Sequence, residues 1–249
     1  MKLKKQQNRI RNFRKKIKSS AVIGAWIQLP DINSALLISK KNFDWLCFDF
    51  EHGTLTLADL TNIISALNDL DKPILVRIHL REINLIPKLL DLGIDGVIIA
   101  SIESQKDIQQ VFDYSFYPPK GKRGLGYAKF NNFSLNNFKL KSYKPIIIPM
   151  IENVDCVKNL DSIINLAKDI DAFFIGPVDL SLSTGDNLRF AKNFKKIVKS
   201  IKKKVDKNKI PIGIHVITDD KKLLKMRIKE GFKFIAYSTD TTQINKYFV

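Results

Sequence analysis

The feature that most constrains this chain is the regular recurrence of short apolar runs. Eight such runs occur, and between them apolar residues repeat every three or four positions. The runs span 21–29, 43–51, 73–80, 95–101, 145–152, 172–180, 210–217 and 232–239. Continuous apolar runs favour strands buried on both faces, and the repeat between them is typical of helices that cover a sheet. Eight strand–helix units predict an α/β protein with a single (β/α)8 TIM barrel.

The length and composition agree with one barrel. The chain has 249 residues, 45% of them hydrophobic, without a change in composition that would mark a linker. We expect one domain over residues 1–249, with a basic helix or arm at 1–19. No apolar run reaches the roughly 20 residues that span a membrane, and the N-terminus lacks the apolar segment of a secretory signal. These absences predict a cytoplasmic protein without membrane contact.

The two cysteines and the net charge restrict the function less. Cys47 and Cys156 fit a reducing compartment, and Cys47 lies in an apolar run that favours a core position. The net charge of +17 comes mostly from lysines, 34 of the 42 basic residues. They are scattered along predicted helix faces without interleaved aromatic residues. We therefore expect a solvated basic surface and no specific nucleic-acid partner, although functional binding of an anionic partner is the alternative.

Polar residues stand where the predicted strands end. In a TIM barrel, the C-terminal ends of the strands carry the functional site. They are Asp49, Glu51, His52, Arg77, His79, Glu152, Asp179, His215 and Asp240. Taken one at a time, such residues also cap the helices that follow. Several carboxylates with an arginine and a histidine on one rim favour a functional site.

Glu152 and Asp179 are the candidate metal ligands. They are 27 residues apart, one strand–helix–strand repeat, which predicts neighbouring strand ends. Two carboxylates with open coordination positions suit a hard divalent cation such as Mg²⁺ or Mn²⁺. A paired general acid and base is the alternative, and the sequence has no histidine-rich or Cys-x-x-Cys zinc spacing.

Arg77 and His52 are the candidates for binding and proton transfer. At a strand end, Arg77 can receive a substrate carboxylate through two hydrogen bonds, or form a structural ion pair with Asp49 or Glu51. His52 can move a proton, directly or through water, or serve only as a hydrogen-bonding partner of those carboxylates.

Two further features concern the rim. The long segment 116–140 is rich in Gly, Pro, Asn and aromatic residues, and we expect it to cover the pocket, with Arg123 reaching a substrate carboxylate. None of the predicted strands ends in a lysine, since Lys144 and Lys233 stand at strand beginnings. A reaction through a Schiff base needs a lysine at the C-terminal ends of the strands. The sequence therefore favours a metal-dependent reaction over one through a Schiff base.

Six segments of the sequence together resemble one enzyme family. In chain order they read FDWLCFDFEHGTL, VRI, YPPKGKRGLG, PMIEN, FIGPVDLS and STDTT. The set resembles the HpcH/HpaI aldolases, from about residue 20 to 242. The resemblance implies a class II aldolase that joins pyruvate to an aldehyde or releases it, needs a divalent metal such as Mg²⁺, Mn²⁺ or Co²⁺, and forms a homo-oligomer.

The resemblance also implies roles for individual residues. Glu152 and Asp179 hold the metal, Arg77 binds the pyruvate carboxylate and polarises its carbonyl, and His52 belongs to the acid–base machinery. Asp49 supports that histidine.

Further residues follow from the same resemblance. Asp91 belongs to the acid–base network, and the main-chain amides of Val178 and Asp179 also receive the pyruvate carboxylate. The sequence departs from the family at Met150, where a glutamine is usual, and at His215, where an apolar residue faces the aldehyde. We expect His215 to recognise a hydroxyl or acidic group of the aldehyde, or to be a rim residue that faces water.

These observations predict a carbon–carbon lyase acting on a small 2-oxo acid and an aldehyde. One alternative is a related enolate-forming lyase or condensing enzyme of sugar-acid or surface-carbohydrate metabolism. The other is a non-catalytic barrel that binds an anionic partner.

Overall fold

The eight predicted strands form one closed parallel barrel. The computed structural model describes residues 2–135 and 143–247. Its strands are β1 (Val22–Ile27), β2 (Trp45–Asp49), β3 (Ile74–His79), β4 (Gly96–Ala100), β5 (Ile146–Ile151), β6 (Phe173–Ile175), β7 (Ile212–Val216) and β8 (Phe234–Tyr237). Each strand pairs in parallel with the next, and β8 pairs with β1. The TIM-barrel prediction is confirmed.

Helices precede the barrel and follow its strands. They are α1 (Lys2–Ser19), α2 (Ile32–Ser39), α3 (Leu57–Ala66), α4 (Ile86–Leu92), α5 (Gln105–Ser115), α6 (Val154–Lys158), α7 (Leu160–Ile164), α8 (Pro177–Ser183), α9 (Lys192–Lys207), α10 (Lys221–Lys229) and α11 (Asp240–Tyr247). Short 3₁₀ helices lie at Leu80–Leu85, Lys129–Asn131 and Ala167–Asp169. In the described part of the chain, no helix combines the length and apolarity that crossing a membrane requires.

The inside of the barrel is filled by large apolar side chains. Trp45 and Phe234 stack with ring centroids 4.1 Å apart, and both are fully buried. Gly24 on β1 makes room for them, because a Cβ there would lie 2.1 Å from the Trp45 ring. Cys47 belongs to this cluster, which confirms its predicted core position. The described barrel interior is therefore a packed core, which leaves the ends of the barrel as the place for a ligand.

The basic N-terminal segment closes the N-terminal end of the barrel. It forms α1, whose apolar residues Ile10, Phe13 and Ile17 are buried and belong to the same cluster as the barrel interior. Phe13 packs edge-on against Phe234 at 6.2 Å between ring centroids. The apolar face of this helix thus acts as the floor of the barrel.

Three aspartates attach that helix to the strands. Asp44, Asp95 and Asp171 precede β2, β4 and β6, and each accepts the backbone N–H of a residue on the preceding strand, at 2.9, 2.8 and 3.1 Å. Each also pairs with a basic side chain of α1. The pairs are Lys16 with Asp44, Arg9 with Asp95 and Arg14 with Asp171. We call these three aspartates the lower carboxylates.

Two predicted elements differ from the structure. β6 ends at Ile175, so the prediction of a strand to residue 180 was wrong, and Asp179 lies in the first turn of α8. Pro177 explains this, because proline suits the first position of a helix and acidic residues suit its first turn. The predicted amphipathic segment 153–169 is divided at Asn159, whose φ of −90° and ψ of 6° depart from helical values.

The long segment 116–140 lies only partly within the described residues. Its described part holds the 3₁₀ helix Lys129–Asn131. Residues 136–140 lie outside the described residues, and the prediction that this segment covers the pocket stays a prediction.

Candidate active site

A cavity of about 240 Å³ opens at the C-terminal end of the barrel. Six of the predicted site residues line it: His52, Arg77, Met150, Val178, Asp179 and His215. They come from segments at the ends of β2, β3, β5, β6 and β7, which the barrel brings to one rim. Residues distant in sequence thus share one pocket, as parallel strands around a closed barrel require.

Arg77 is held between two carboxylates at this rim. Asp49 is its register partner on β2, and Arg77 donates from Nε at 2.8 Å and from a terminal nitrogen at 2.5 Å to the two carboxylate oxygens. Its other terminal nitrogen lies 3.0 Å from an oxygen of Glu51. The guanidinium also lies 5.0 Å from the centroid of the Trp26 ring. The ion pair weighed in the sequence analysis is present, and Arg77 lines the cavity as well.

Asp49 is the most completely bonded carboxylate of the rim. It is fully buried, and it also accepts hydrogen bonds from Trp26 Nε1 and Gln28 Nε2, both at 3.1 Å, and from the backbone N–H of His52 at 3.2 Å. Burial alone would raise its pKa, but the hydrogen bonds and charge of Arg77 outweigh burial and lower the pKa to about 2. Asp49 therefore stays ionised and fixes Arg77 and the main chain at His52.

Glu152 differs sharply from Asp49. It is 5% exposed, and its Oε1 accepts the backbone N–H of Ser101 at 2.5 Å, while its Oε2 is buried with no hydrogen-bond donor within the described residues. Burial, together with the negative charges of Glu51 and Asp179, raises the pKa of Glu152 to about 7. A buried carboxylate oxygen without a donor is costly, so this position calls for a proton or a cation.

The turn between β6 and α8 lies directly against this oxygen. A Cβ at Gly176 would stand 2.7 Å from Glu152 Oε2 and 2.9 Å from the Met150 methyl group, so only glycine fits. Ser101, which donates to Glu152, has a φ of 60°, a left-handed conformation that is uncommon outside glycine and is found at functional sites. Both backbone features serve the position of the Glu152 carboxylate.

Asp179 and Val178 stand in the first turn of α8, three and two residues after Gly176. Asp179 is half-buried and lines the cavity. The first N–H groups of a helix lack carbonyl partners within the helix, so the amides of Val178 and Asp179 can receive an anion. Both residues lie at the predicted rim, but the first turn of α8 presents them and not the end of strand β6.

The donor set fits a divalent metal ion. Among the described residues, no group of three or more His, Cys, Asp or Glu side chains is arranged to hold a metal. Glu152 and Asp179 would thus supply two oxygen ligands, and water and substrate the rest, which is the usual coordination of Mg²⁺. The oxygen of Glu152 without a donor is the observation that favours such an ion here.

The remaining predicted cavity residues differ in environment. His52 is exposed at the cavity, and in the described residues only its backbone N–H is hydrogen-bonded. Met150 is 2% exposed and presents a thioether where an amide would donate a hydrogen bond. His215 on β7 is half-buried, with its ring 4.9 Å from that of Trp26 and its Nε2 3.3 Å from the Ser238 carbonyl oxygen.

Asp91 and Arg123 do not line the cavity. Asp91 lies on α4 and accepts a hydrogen bond from Arg123 at 2.6 Å. Arg123 is 2% exposed, and its guanidinium lies 4.8–5.2 Å from the ring centroids of Tyr117, Phe130 and Tyr143. The two residues pair with each other within this chain, and their roles toward substrate stay predictions.

Two residues named only as strand ends prove to be structural. His79 accepts the backbone N–H of Arg81 at the start of a 3₁₀ helix. Asp240 accepts the backbone N–H groups of Gln28 and Leu29 and so connects the segments after β8 and β1. The capping alternative is correct for His79, whereas Asp240, the first residue of α11, links that helix to the chain after β1.

Several residues that line the cavity were not predicted from the sequence. Trp26 and Gln28 come from the first strand and the residues after it, and Thr239, Thr241 and Thr242 surround the start of α11. Gln28 donates to Asp49 and accepts from the Thr241 hydroxyl at 2.7 Å. The signal was present, because Gln28 is the first polar residue after β1 and the STDTT segment follows β8 directly.

The fold and the rim together define a class: a TIM-barrel enzyme with an acidic site at the C-terminal ends of its strands. Residues 23–246 match the family model for HpcH/HpaI aldolase/citrate lyase, and the chain belongs to this family. The prediction from the six sequence segments is therefore confirmed.

Individual relatives agree with this assignment. The chain is 27% identical over 247 residues to a hydroxypyruvate/pyruvate aldolase from Roseobacter denitrificans, an alignment that covers 94% of this chain and 93% of the relative. It is 27% identical over 241 residues to a 4-hydroxy-2-oxovalerate aldolase from Novosphingobium aromaticivorans, covering 94% and 90%. Aldolases at this similarity over most of the chain support a carbon–carbon lyase.

Solved structures support the fold. A HpcH/HpaI aldolase/citrate lyase family protein from Burkholderia cenocepacia superimposes with a TM-score of 0.86 at 21% identity, covering 94% of this chain and 95% of that one. At this identity the likeness shows the barrel alone.

Proposed function

We propose that this protein is a metal-dependent class II aldolase that cleaves or forms the bond between pyruvate, or a related 2-oxo acid, and an aldehyde. The observation that carries the proposal is the buried Oε2 of Glu152, which lacks a hydrogen-bond donor within the described residues and adjoins the turn leading to Asp179. The aldolase relatives support the reaction class, and the family generally depends on a divalent metal.

Glu152 and Asp179 are the residues that would hold the metal, with Mg²⁺ or Mn²⁺ as the first candidates and Co²⁺ as a third. When bound, such a metal would stabilise the negative charge that develops on the keto oxygen of the substrate. The raised pKa of Glu152 fits this role, because a cation replaces the proton that the buried carboxylate otherwise attracts.

Arg77 would orient the 2-oxo acid. A guanidinium has five N–H donors. Two of them are used by Asp49, and a third nitrogen faces Glu51, so donors remain toward the cavity that Arg77 lines. The amides of Val178 and Asp179 would receive the carboxylate of the same acid at the start of α8.

His52 would move the proton. In the cleavage direction His52, directly or through water, takes the proton from the hydroxyl on C4 of the substrate. The C3–C4 bond then breaks, its electron pair goes to C3 to give the enolate of pyruvate, and the aldehyde leaves. Protonation of C3 completes pyruvate. Asp49 fixes the main chain at His52 and the side chain of Arg77, so both groups keep their positions during the reaction.

Exchange of the pyruvate methyl protons with D₂O tests the proposal without any choice of aldehyde. NMR should show metal-dependent exchange with Mg²⁺ or Mn²⁺, its loss in EDTA, and its loss in Asp179→Asn. Asp155→Asn is the matched control, since Asp155 is an exposed acid on α6 that pairs with Lys158. Exchange that survives EDTA would remove the metal from the mechanism.

The alternatives predict other outcomes. A non-catalytic barrel would show no exchange and a salt-dependent shift with an anionic polymer such as nucleic acid. A condensing enzyme would show exchange but turn over no simple aldehyde. We further infer a homo-oligomer in the cytoplasm, which sedimentation and cell fractionation test.

A further inference from the structure

The cavity has two chemically different sides. One carries Asp179 and Arg77, with Glu152 directly behind the lining residue Gly176, and these are the charged groups to which the proposed function gives the 2-oxo acid. The other side is formed by β7, β8 and the start of α11, and its polar members are His215 and the threonines Thr239, Thr241 and Thr242. These groups are neutral, and the proposed mechanism leaves them without a role.

His215 offers a hydrogen-bond acceptor on this side. Its ring packs on Trp26 at 4.9 Å and on Phe174 at 6.2 Å between centroids, and burial lowers its pKa to about 4, so it is neutral near pH 7. Nε2 lies 3.3 Å from the carbonyl oxygen of Ser238, and a carbonyl accepts, so Nε2 carries the hydrogen. Nδ1 is then an acceptor, and within the described residues nothing donates to it.

Thr242 offers a donor on the same side. The hydroxyl of Thr239 donates to Thr242 Oγ1 at 2.8 Å, and the Thr241 hydroxyl donates to Gln28 Oε1 at 2.7 Å. The proton of Thr242 has no acceptor among the described residues, so this hydroxyl can donate into the cavity. A substrate hydroxyl both donates and accepts. It could therefore donate to Nδ1 of His215 and accept from the Thr242 hydroxyl.

No positive charge on this side would balance a second carboxylate. In the described lining, the cationic candidates are His52 and Arg77, which come from β2 and β3, and Arg77 is already paired with Asp49 and Glu51. A carboxylate beside the lone pair of His215 Nδ1 would have the Thr242 hydroxyl as a donor but no countercharge, which is unfavourable for a desolvated anion.

We propose that His215 and Thr242 bind a neutral hydroxyl group on the aldehyde half of the substrate, so that hydroxyaldehydes are preferred over unsubstituted and carboxylate-bearing aldehydes. This inference rests on the proposed function, since it names the aldehyde partner of the same site.

Two aldehydes of equal size test the preference. Glycolaldehyde and propionaldehyde differ only by a hydroxyl in place of a methyl group. With pyruvate and Mg²⁺, we expect kcat/KM for glycolaldehyde to exceed that for propionaldehyde by about tenfold, the effect of one or two hydrogen bonds. Succinate semialdehyde, which carries a second carboxylate, should react no better than propionaldehyde.

Variants assign the preference to these residues. His215→Leu and Thr242→Val should each bring the ratio between the two aldehydes toward one, mainly by slowing glycolaldehyde, and His215→Asn should retain part of it. Thr61→Val is the matched control, because the Thr61 hydroxyl bonds the Leu57 carbonyl on α3, outside the cavity. Thermal unfolding midpoints would identify a variant that loses its ratio through misfolding.

Exchange of the pyruvate methyl protons in the unmodified protein distinguishes failure of this inference from failure of the proposed function. If exchange is present and the ratio is near one, or is unmoved by both variants, this inference is wrong and the proposed function stands. If exchange is absent, both are wrong.

Discussion

At the N-terminal end of the barrel, each of the lower carboxylates Asp44, Asp95 and Asp171 has a backbone N–H and a basic side chain of α1 as partners. At the C-terminal end, Asp49 is bonded as fully, but Glu152 keeps one buried oxygen without a donor in the described residues. The first arrangement stabilises the fold. The second keeps a costly group that only an added ion or proton satisfies, which marks the end where function resides.

The largest effect should follow from neutralising Glu152. We expect Glu152→Gln to lower metal-dependent aldol turnover by at least about 10³-fold, about 4 kcal/mol of transition-state stabilisation. Its thermal stability without metal should be equal or higher, because a buried charge is removed. Activity assays and calorimetry on the same preparation measure both, with Asp155→Asn as the surface control. A variant that loses stability and keeps turnover would reverse the comparison between the two ends.

Breaking the buried pair at the opposite end should show the reverse behaviour. Arg9 bonds both oxygens of Asp95, at 3.1 and 3.2 Å, and Asp95 is fully buried. We expect Arg9→Met to lower the free energy of unfolding by about 3–5 kcal/mol, because it leaves a buried carboxylate without its cation. Burial already raises the pKa of Asp95 to about 6, so the loss should shrink toward pH 4 as Asp95 is protonated.

Urea denaturation at several pH values measures that loss. Turnover per folded molecule should stay unchanged, since α1 is at the end of the barrel away from the cavity. A fall in turnover without a fall in stability would connect α1 to the active site and contradict the separation of roles.

The pH dependence of stability distinguishes Glu152 from Asp49. Because the pKa of Glu152 is raised from 4.5 to about 7 in the folded state, the protein binds this proton more tightly than the unfolded chain does. In EDTA, its contribution to stability is therefore full below pH 4.5 and is lost as the pH rises to about 7, up to about 3 kcal/mol. Asp49, with its pKa lowered to about 2, contributes in the opposite direction, above pH 4.

The difference between unmodified protein and Glu152→Gln isolates this contribution. Denaturation curves at pH 5 and pH 8 should show a decline with pH that the variant lacks. Saturating Mg²⁺ should reduce the decline, because a bound cation stabilises the ionised carboxylate. Equal slopes in the two proteins would mean that Glu152 is not buried as described.

The sequence predicts the barrel better than it predicts the site. Continuous apolar runs identify all eight strands, because a strand covered on both faces needs no alternation. The end of β6 is predicted too late, because Pro177 starts a helix inside the predicted strand 172–180. Strand order also predicts which side chains share the rim. For Arg77, the sequence allows a substrate carboxylate or an ion pair as the partner, and the structure shows the ion pair with Asp49.

The state of each rim residue depends on contacts that a pattern does not encode. Among the described residues, Glu152 lacks a donor on one oxygen because the turn at Gly176 covers it, and His215 is neutral because Trp26 and Phe174 pack on its ring. The basic segment 1–19 is predicted as a helix or arm, but its place under the barrel depends on the lower carboxylates, which precede three strands that are distant in sequence.

The smallest effect should come from the most exposed of the three pairs between α1 and the lower carboxylates. Lys16 pairs with Asp44, but its side chain is 54% exposed, against 12% for Arg9. Lys16→Met should lower the free energy of unfolding by no more than about 1 kcal/mol, because solvent screens exposed ion pairs. Asp44 keeps its bond from the Ile23 N–H, and its side chain is 23% exposed, so its charge is not left buried and unpaired. Urea denaturation of both α1 variants in parallel measures the difference. Losses of equal size would show that attachment of the helix depends on charge number and not on burial, whereas unequal losses would place the stabilisation at Asp95.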